Sequence, residues 1–360
     1  MSVLNVAVVG CGIGRSHIVE GYLPNADKFK VVALCDLNAE RLDRLGEEFG
    51  IERRIVDFDD ILGMDDVDIV DICTPPGVHY AMVMAALKAG KHVVCEKPLV
   101  GSLRQVDEVI AQEKVSKGKL MPVFQYRFGD GIEQVKTIIE AGIAGKPFVG
   151  TVETLWRREA DYYAVPWRGK WKTELGGVLM GHAIHPHDIF TYLMGDIARV
   201  FGRVATRVNP IEVEDTISAS LEMKSGALAS LTATLGSADE ITRIRLAFEH
   251  VSFESDHAPY NPGHKPWKIL PRDEATAARI GKLLDNWTHV PARFQTQMAR
   301  FHEALMGQGP LPVTSADSRR SLELVTAFYH SSSTHQEVVL PLGPDHPLYE
   351  SWVPAQFRAA

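Results

Sequence analysis

The first third of the chain alternates short apolar runs with amphipathic stretches. The runs are rich in Val and Ile and lack polar alternation, which is typical of strands buried on both faces of a parallel sheet. They lie at 3–10, 30–36, 67–74, 91–97 and 120–126. Helices are predicted between them over 38–50, 79–90 and 102–118. Repeated strand–helix–strand units of this kind predict a doubly wound α/β domain, a Rossmann-type nucleotide-binding fold, over residues 1–125.

After about Tyr126 the pattern changes. A helix is predicted over 130–142, and longer strands with alternating apolar and polar residues follow at 147–157, 215–224, 226–236 and 242–250. Such strands are typical of an antiparallel sheet with one covered face. Residues 256–273 are rich in Pro and Gly and predict a surface loop, and late helices are predicted over 292–309 and 315–334. Residues 126–360 are therefore expected to form an α+β domain.

Composition agrees with this two-domain organisation. The chain has 360 residues, 45% of them hydrophobic and 23% charged, with a formal net charge of −8, as in an ordinary soluble globular protein. The acidic balance argues against nucleic acid and anionic membranes as partners. No apolar run approaches the roughly 18 residues of a membrane span, and the N-terminus lacks the basic region of a signal peptide. The cysteines form no C-x-x-C pair and are expected to be buried in a reduced, cytoplasmic protein: Cys11, Cys35, Cys73 and Cys95.

A glycine-rich turn directly follows the first predicted strand. It contains Gly10, Gly12, Ile13 and Gly14, where backbone N–H groups can approach a pyrophosphate at a helix N-terminus. The spacing is G-x-G-x-G rather than the usual G-x-G-x-x-G. Either the loop is one residue shorter, or Arg15 takes the place of the third glycine.

The second predicted strand ends in an acid. Asp36 follows Gly10 by 26 residues, where a carboxylate can accept hydrogen bonds from an adenosine ribose. A carboxylate should also repel a 2′-phosphate, which favours NAD over NADP, although the nearby Arg41 leaves NADP as an alternative. The competing interpretation is that Asp36 only caps the helix that begins near Asn38.

Polar residues also follow the next predicted strands. Thr74–Pro75 and Glu96–Lys97–Pro98 should lie at the same sheet edge as the glycine turn, with His79 near the start of the following helix. Lys97 could reach a nicotinamide ribose or stabilise the alkoxide that develops as hydride leaves a carbinol carbon. The alternative is a surface lysine paired with Glu96, which would contribute little.

Together these motifs resemble a known family. The segments 10–17 (GCGIGRSH), 35–42 (CDLNAERL), 72–99 and 176–195 are similar to the glucose–fructose oxidoreductase and inositol dehydrogenase family, Gfo/Idh/MocA. The resemblance implies a Rossmann domain followed by a domain built on a large open, mostly antiparallel sheet. It also implies a homo-oligomer, either dimer or tetramer, and places Lys97 where nicotinamide and substrate meet.

The segment 176–195 contains the histidines of the resembled site. The resemblance assigns the catalytic histidine to His185 and a later acid to Asp188, and a neutral imidazole suits removal of a hydroxyl proton. Many polyol-oxidising members have aspartate four residues before this histidine, where this chain has Gly181. His182 is therefore a candidate for substrate contact or proton relay. His182, His185 and His187 could instead bind a metal, but no metal is expected because the family chemistry uses none and Pro186 disturbs a helical ligand face.

Further candidates flank the histidine segment. Arg127, Arg158 and Trp167 could contact a sugar, because aromatic faces suit its C–H faces and guanidinium groups donate to hydroxyls or acids. A packing, interface or ion-pair role is an equal alternative for them. The favoured function is NAD-dependent oxidation of a secondary hydroxyl on a sugar, cyclitol or glycoside. The alternatives are a ligand-sensing protein without turnover and a metal-dependent lyase or hydrolase.

Overall fold

The computed structural model describes residues 2–358 as two compact units. Unit 1 runs to Gln125 and also includes Phe294–Arg320, and unit 2 contains Tyr126–Arg293 and the chain from Ser321 onward. The expected boundary after residue 125 agrees with the end of the first segment. Residues 294–320 were assigned to the second domain, but in the structure they pack with unit 1. The amphipathic pattern of a late helix shows that one of its faces is buried, but it does not show which of the two units the helix packs on.

The elements are numbered in chain order. The strands are β1 (Leu4–Val9), β2 (Phe29–Cys35), β3 (Arg53–Ile55), β4 (Ile69–Ile72), β5 (His92–Cys95), β6 (Leu120–Pro122), β7 (Pro147–Arg157), β8 (Ile197–Ala205), β9 (Thr216–Met223), β10 (Leu228–Thr234), β11 (Gly236–Phe248), β12 (Val251–Glu254), β13 (Lys268–Pro271) and β14 (Val338–Val339). The α-helices are α1 (Gly14–Ser16), α2 (Ala39–Phe49), α3 (Phe58–Leu62), α4 (His79–Lys88), α5 (Leu103–Val115), α6 (Asp130–Glu140), α7 (Ala160–Tyr163), α8 (Trp171–Glu174), α9 (Ile184–Met194), α10 (Glu274–Leu284), α11 (Phe294–Leu305) and α12 (Ser315–Thr334). Two stretches are π-helical, His17–Tyr22 and Leu179–Ala183.

Unit 1 is built on a parallel sheet of six strands in the order β3-β2-β1-β4-β5-β6. Every residue of β4 is buried, as expected for a strand covered on both faces. The strand order reverses between β1 and β4, which is where doubly wound sheets form a ligand crevice at their carboxyl ends. The predicted Rossmann fold is confirmed. Strand β3 escaped prediction because it is short and exposes Arg53 and Arg54.

Unit 2 is built on a sheet of eight strands in the order β13-β12-β11-β7-β10-β9-β8-β14. Only β10 and β7 pair in parallel among the paired strands described. Buried and exposed residues alternate along β9, so one face is covered, as the sequence pattern predicted. Helix α9 covers that face closely at Gly150, where a Cβ would lie 2.4 Å from Phe190 Cε2.

The segment 256–273 is only partly a loop. Its residues Lys268–Pro271 form the edge strand β13, which pairs antiparallel with β12, so the prediction of a loop over the whole segment was wrong there. Proline at the end of an edge strand is compatible with pairing, because its missing N–H faces away from the ladder. Among residues 2–358, no helix combines the length and hydropathy needed to cross a membrane.

Candidate active site

The glycine turn joins β1 to α1 in unit 1. Gly10 has a φ of +98°, and a Cβ there would lie 2.6 Å from the carbonyl oxygen of Cys73. A Cβ at Gly14 would lie 2.7 Å from Val8 Cγ1, so this glycine lets the helix pack against the strand. Arg15 points outward and pairs with Glu48 (2.5 Å). Gly14 therefore performs the role of the third glycine, and the loop is the shorter of the two alternatives.

Asp36, at the end of β2, turns its carboxylate towards the glycine turn. Its Oδ2 accepts the N–H of Cys11 (2.8 Å), and its Oδ1 accepts the N–H of Asn38 (2.8 Å). The cap of α2 is Asn38 itself, whose side chain accepts the N–H of Arg41. Asp36 is thus more than a helix cap, because it fixes the turn from the neighbouring strand. Arg41 lies 3.5 Å from the same carboxylate.

His79 connects the segments that follow β4 and β5. Its Nδ1 lies 2.8 Å from the carbonyl oxygen of Pro98, and its Nε2 lies 2.8 Å from the carbonyl oxygen of Thr74. Only 1% of His79 is exposed. Burial lowers the pKa of this imidazole, although the carbonyl groups of Pro98 and Thr74 act in the opposite direction. His79 therefore joins the two loops that follow β4 and β5, and Pro75 is exposed beside it.

Glu96 and Lys97 follow β5, and their surroundings show how these charges are held at the end of a buried strand. Glu96 is buried, with its Oε1 3.1 Å from His17 Nε2, and its Oε2 accepts the N–H of Lys97 (3.0 Å). Burial alone would raise the pKa of Glu96, but His17 and Lys97 lower it. The Lys97–Pro98 peptide bond is cis. A surface ion pair between Glu96 and Lys97 was the alternative considered from the sequence. In the structure Glu96 is buried and is held by His17 and by the backbone N–H of Lys97.

His17 lies at the centre of a buried polar cluster that sequence reasoning missed. Its Nδ1 is 2.8 Å from Asp71 Oδ2, which also accepts the hydroxyl of Tyr22 (2.8 Å). The Cys73 thiol lies 3.4 Å from the same nitrogen. Burial alone would lower the pKa of His17, but Asp71 and Cys73 raise it well above the usual value. Two signals were present in the sequence: the histidine ending GCGIGRSH and an acid inside a strand buried on both faces.

The His17, Asp71 and Cys73 side chains place three potential metal-ligand atoms within 4.8 Å of one another. The 2.8 Å separation of Nδ1 and Oδ2 is that of a direct hydrogen bond, so in this structure these side chains contact one another directly.

In unit 2, the histidine segment begins at a glycine pair held by a buried acid. Glu214 Oε1 accepts the N–H groups of Gly177 (2.9 Å) and Leu179 (3.0 Å), and its Oε2 accepts the hydroxyl of Tyr329 (2.9 Å). A Cβ at Gly177 would lie 1.7 Å from the Glu214 carbonyl oxygen, so only glycine fits. Burial raises the pKa of Glu214 to about 7, while these donors oppose the shift. Glu214 was not a sequence candidate because it lies in a separate loop before β9.

The three histidines face different neighbours. His185 stacks on the ring of Tyr126, with centroids 4.4 Å apart, and His182 Nε2 lies 3.2 Å from the Tyr162 hydroxyl. His187 is buried against Phe328, and burial lowers its pKa to about 3. Separate partners of this kind do not favour a shared metal ion. His187 therefore contributes to packing in this structure.

Asp188 forms a buried ion pair with Arg127. Arg127 Nε donates to Oδ2 (2.6 Å) and Nη2 donates to Oδ1 (2.5 Å). The exposed fractions of the two side chains are 3% and 2%. The guanidinium also lies over the Tyr192 ring. Two sequence candidates are thus brought together as an ion pair.

A carboxylate lies beside position 181 even though the residue there is glycine. A Cβ at Gly181 would be 3.7 Å from Glu174 Oε1, and Glu174 is buried. Arg168 lies 3.7 Å from the same oxygen, donates to the Tyr162 hydroxyl and covers the Tyr162 ring. A chain of polar groups therefore runs from Glu174 through Arg168 and Tyr162 to His182. Neither Glu174 nor Tyr162 was selected from the sequence as a site residue.

The aromatic and arginine-rich segment after β7 lines an open cleft in unit 2. Arg158 lies over the rings of Trp156, Tyr162 and Tyr260 and pairs with Glu240 (2.8 Å). The cleft has a volume of about 360 Å³ and is lined by Arg157, Arg158, Glu159, Asp161, Tyr162 and Tyr260. Trp167 is half-buried under Arg168 and is not among the lining residues.

The residues of unit 1 fit a dinucleotide. Gly10 and Gly14 occupy places that a side chain could not share, and the intervening Gly12 and Ile13 are exposed. These two exposed residues lie directly before a helix, and Asp36 lies at the end of the next strand.

The comparisons with known proteins agree with this architecture. Residues 4–124 match a family model described as an oxidoreductase family with an NAD-binding Rossmann fold, and residues 132–254 match the GFO/IDH/MocA C-terminal domain. Unit 1 is therefore an NAD-binding Rossmann domain.

Individual relatives are sugar and cyclitol enzymes. Myo-inositol 2-dehydrogenase of Thermotoga maritima is 31% identical over 62% of this chain, and the match spans 66% of that enzyme, just under two thirds of its length. D-apiose dehydrogenase of Paraburkholderia graminis is 28% identical over 93% of this chain and 89% of its own. The crystal structure of the WlbA dehydrogenase from Bordetella pertussis, in complex with NADH and UDP-GlcNAcA, has a TM-score of 0.84 at 26% identity. It covers 95% of this chain and 100% of that one.

Proposed function

Because the chain belongs to the Gfo/Idh/MocA family of oxidoreductases, we propose that it transfers hydride between NAD and a secondary hydroxyl of a sugar, cyclitol or glycoside. The observation that carries this proposal is the position of Lys97. It follows β5 at the carboxyl edge of the parallel sheet, the same edge at which the glycine turn follows β1. Relatives that oxidise inositol and apiose support the substrate class.

NAD would supply the hydride acceptor when bound. The exposed backbone of Gly12 and Ile13 would hold its pyrophosphate, and Asp36 would accept the adenosine ribose hydroxyls. The pairing of Asp36 with Cys11 N–H supports this role, because the carboxylate already faces the turn. Its negative charge favours NAD, and Arg41 remains the feature that would tolerate NADP.

Lys97 and His185 would perform the chemistry on the substrate hydroxyl. The ammonium of Lys97 would stabilise the developing alkoxide, and the imidazole of His185 would accept the hydroxyl proton. Stacking on Tyr126 supports a fixed ring for His185. Asp188 would position this helix through Arg127 instead of contacting substrate, since both its oxygens accept from that guanidinium.

His182 would bind or relay protons to the substrate with Tyr162. The buried carboxylate of Glu174 next to position 181 supports this role, because it supplies the acid that the glycine lacks. The cleft lined by Arg158 and Tyr162 offers aromatic faces with both donors and acceptors, which suits a polyol. Trp167 has less support as a substrate contact than Arg158.

Cytoplasmic location and homo-oligomeric assembly complete the proposal. Free, buried cysteines suit a reducing compartment. Large apolar residues exposed on the strands of the eight-stranded sheet support a subunit contact there: Phe148, Phe201, Leu228 and Val339. The mass of the purified protein by light scattering would test this assembly as dimer, tetramer or monomer.

The test of the proposed activity is nicotinamide absorbance with NAD and NADP against a panel of aldoses, inositols and glycosides. One substrate should reduce NAD, and Lys97→Ala and His185→Ala should each lower kcat by roughly 10² to 10³-fold. Lys88→Ala, on an exposed lysine at the end of α4, is the control for Lys97. His187→Phe, two positions along α9, is the control for His185.

The other outcomes distinguish the rival functions. Binding of NAD without reduction by any substrate would favour a ligand-sensing protein. Turnover that a chelator abolishes would favour a metal-dependent lyase or hydrolase.

A further inference from the structure

We infer that His17 and His79 are positioning residues for Lys97, His17 acting through the Glu96 carboxylate and His79 through the Pro98 carbonyl. The inference rests on the proposed function for the role of Lys97. Every contact that carries it lies within unit 1.

The first connection approaches Lys97 from its N-terminal side. His17 Nε2 lies 3.1 Å from Glu96 Oε1, and Glu96 Oε2 accepts the backbone N–H of Lys97 (3.0 Å). His17 is itself fixed at its other nitrogen by Asp71 Oδ2 (2.8 Å), and the ring of Phe294 packs on it at 4.5 Å. The helix that follows the glycine turn is thereby connected to the backbone of Lys97.

The groups around His17 favour a cationic imidazole. They are the carboxylates of Asp71 and Glu96 and the thiol of Cys73, and the Tyr22 hydroxyl donates to the same oxygen of Asp71. Two buried carboxylates without a cation between them would be costly. A protonated imidazole donates from both nitrogens, one to each carboxylate. The pKa of His17 is raised in the direction that this arrangement demands.

The second connection approaches from the C-terminal side. His79 Nδ1 lies 2.8 Å from the Pro98 carbonyl oxygen, and its Nε2 lies 2.8 Å from the Thr74 carbonyl oxygen. His79 is 1% exposed, so water cannot take over these contacts. Lys97 therefore lies between Glu96, which contacts His17, and Pro98, which contacts His79. Each of these buried histidines is the first residue of its own helical segment.

This arrangement matters for rate because a catalytic group displaced by about 1 Å can lose roughly 10²-fold in activity. The two histidines have opposite geometries towards the Lys97 segment. His17 reaches it with Nε2, whereas His79 reaches it with Nδ1. An asparagine amide nitrogen can replace Nδ1 and a glutamine amide nitrogen can replace Nε2, so the two amides separate the contacts.

The experiment compares His17→Gln with His17→Asn, and His79→Asn with His79→Gln. At position 17, glutamine keeps a donor for Glu96 and asparagine keeps the one for Asp71. At position 79, asparagine places a donor at the Pro98 carbonyl and glutamine places one at the Thr74 carbonyl. A neutral imidazole has one N–H, and the inference requires that N–H to be on Nδ1, facing Pro98. If the histidines position Lys97, the better amide differs between the two sites. We expect kcat to be about 10-fold higher for His17→Gln than for His17→Asn, and about 10-fold higher for His79→Asn than for His79→Gln. We call this the crossed pattern.

Thermal unfolding and NADH affinity by fluorescence are measured on the same variants. The inference is overturned if the two amides at each position lose kcat together and in proportion to their Tm, because that result needs only a structural role. An imidazole of His17 that titrates by NMR at or below its ordinary pKa would also overturn it.

Failure of the proposed function remains distinguishable from failure of this inference. If no sugar is turned over, the NADH dissociation constants of the variants are compared in the native and Lys97→Met backgrounds. A crossed pattern in NADH affinity that disappears in the Lys97→Met background supports positioning without any turnover. Equal affinities for all the amide variants contradict it.

Discussion

The carboxyl edge of the parallel sheet and the histidine helix of unit 2 hold their polar side chains in different ways. At the sheet edge, the partners follow the ends of neighbouring strands. Asp36 accepts the N–H of Cys11 in the turn after β1. Glu96 contacts His17, which lies just beyond that turn. Around α9, the partners come from segments far apart in the chain, such as Tyr162 and Glu214. A parallel sheet brings functional residues together by a general rule, whereas the second unit depends on its particular loops.

The two regions also differ in how they stabilise buried charge. In unit 1 a histidine lies between two carboxylates, with one ring nitrogen facing each of them. In unit 2 the buried pair of Arg127 with Asp188 contains one charge of each sign, and Glu214 is an acid whose pKa burial raises. Removal of one charge of the Arg127–Asp188 pair should therefore be costly, because it leaves the other buried charge without that partner.

The largest expected effect is on the Arg127–Asp188 pair. Arg127→Met or Asp188→Asn should lower the free energy of unfolding by about 3 to 5 kcal/mol, because each leaves a buried group without its partner. The double variant Arg127→Met/Asp188→Leu should regain most of that loss. Denaturant unfolding of the three variants measures both effects.

The exposed pair of Lys224 with Asp196 is the matched control. These side chains are 55% and 48% exposed, and Lys224→Met should cost about 0 to 1 kcal/mol. If the buried variants cost no more than this control, unit 2 does not depend on its buried Arg127–Asp188 pair, and the contrast with unit 1 fails.

The same contrast explains how much the sequence could predict. The alternation of apolar runs predicted the Rossmann sheet, and the sheet-edge rule placed Gly10, Asp36 and Lys97 at one edge. An ion pair of Arg127 remained one of two alternatives and had no named partner, because no local pattern shows which distant side chains meet. The edge strand β13 was missed because its Pro-rich surroundings resemble a loop. Glu214 has no motif around it, since its role depends on a glycine pair from another segment.

A smaller effect is expected for the protonation of Glu214. Burial raises its pKa in the folded protein from 4.5 to about 7, so the folded state disfavours the ionised form. The stabilising contribution is complete below pH 4.5 and is lost as pH rises towards 7. Glu214→Gln cannot ionise, so the stability of the native protein relative to this variant should fall by about 3 kcal/mol over that interval.

Chemical denaturation at a series of pH values from 4 to 8 measures this difference. Tyr329→Phe is the companion variant, because it removes one donor to Glu214 while keeping the ring. A stability difference between native and Glu214→Gln proteins that stays constant with pH would mean that folding leaves the pKa of Glu214 unchanged. A native stability that rises with pH relative to Glu214→Gln would mean that unit 2 holds its buried acid as unit 1 does, through hydrogen bonds that favour the charged form.

The smallest expected effect is at Asp36, where the sheet-edge rule is tested directly. Asp36→Asn keeps an oxygen for the Cys11 N–H but removes the charge, so the turn should stay intact while repulsion of a 2′-phosphate disappears. We expect NADPH affinity to rise about 10-fold, or about 1.4 kcal/mol, and NADH affinity to fall less than that. Arg41, 3.5 Å from the carboxylate, should supply the attraction, so adding Arg41→Met should cancel the gain. Fluorescence titration with both nucleotides measures these affinities.

Unchanged NADPH affinity in Asp36→Asn would show that position 36 only supports the turn. The cofactor selectivity of unit 1 would then depend on other residues at the same sheet edge.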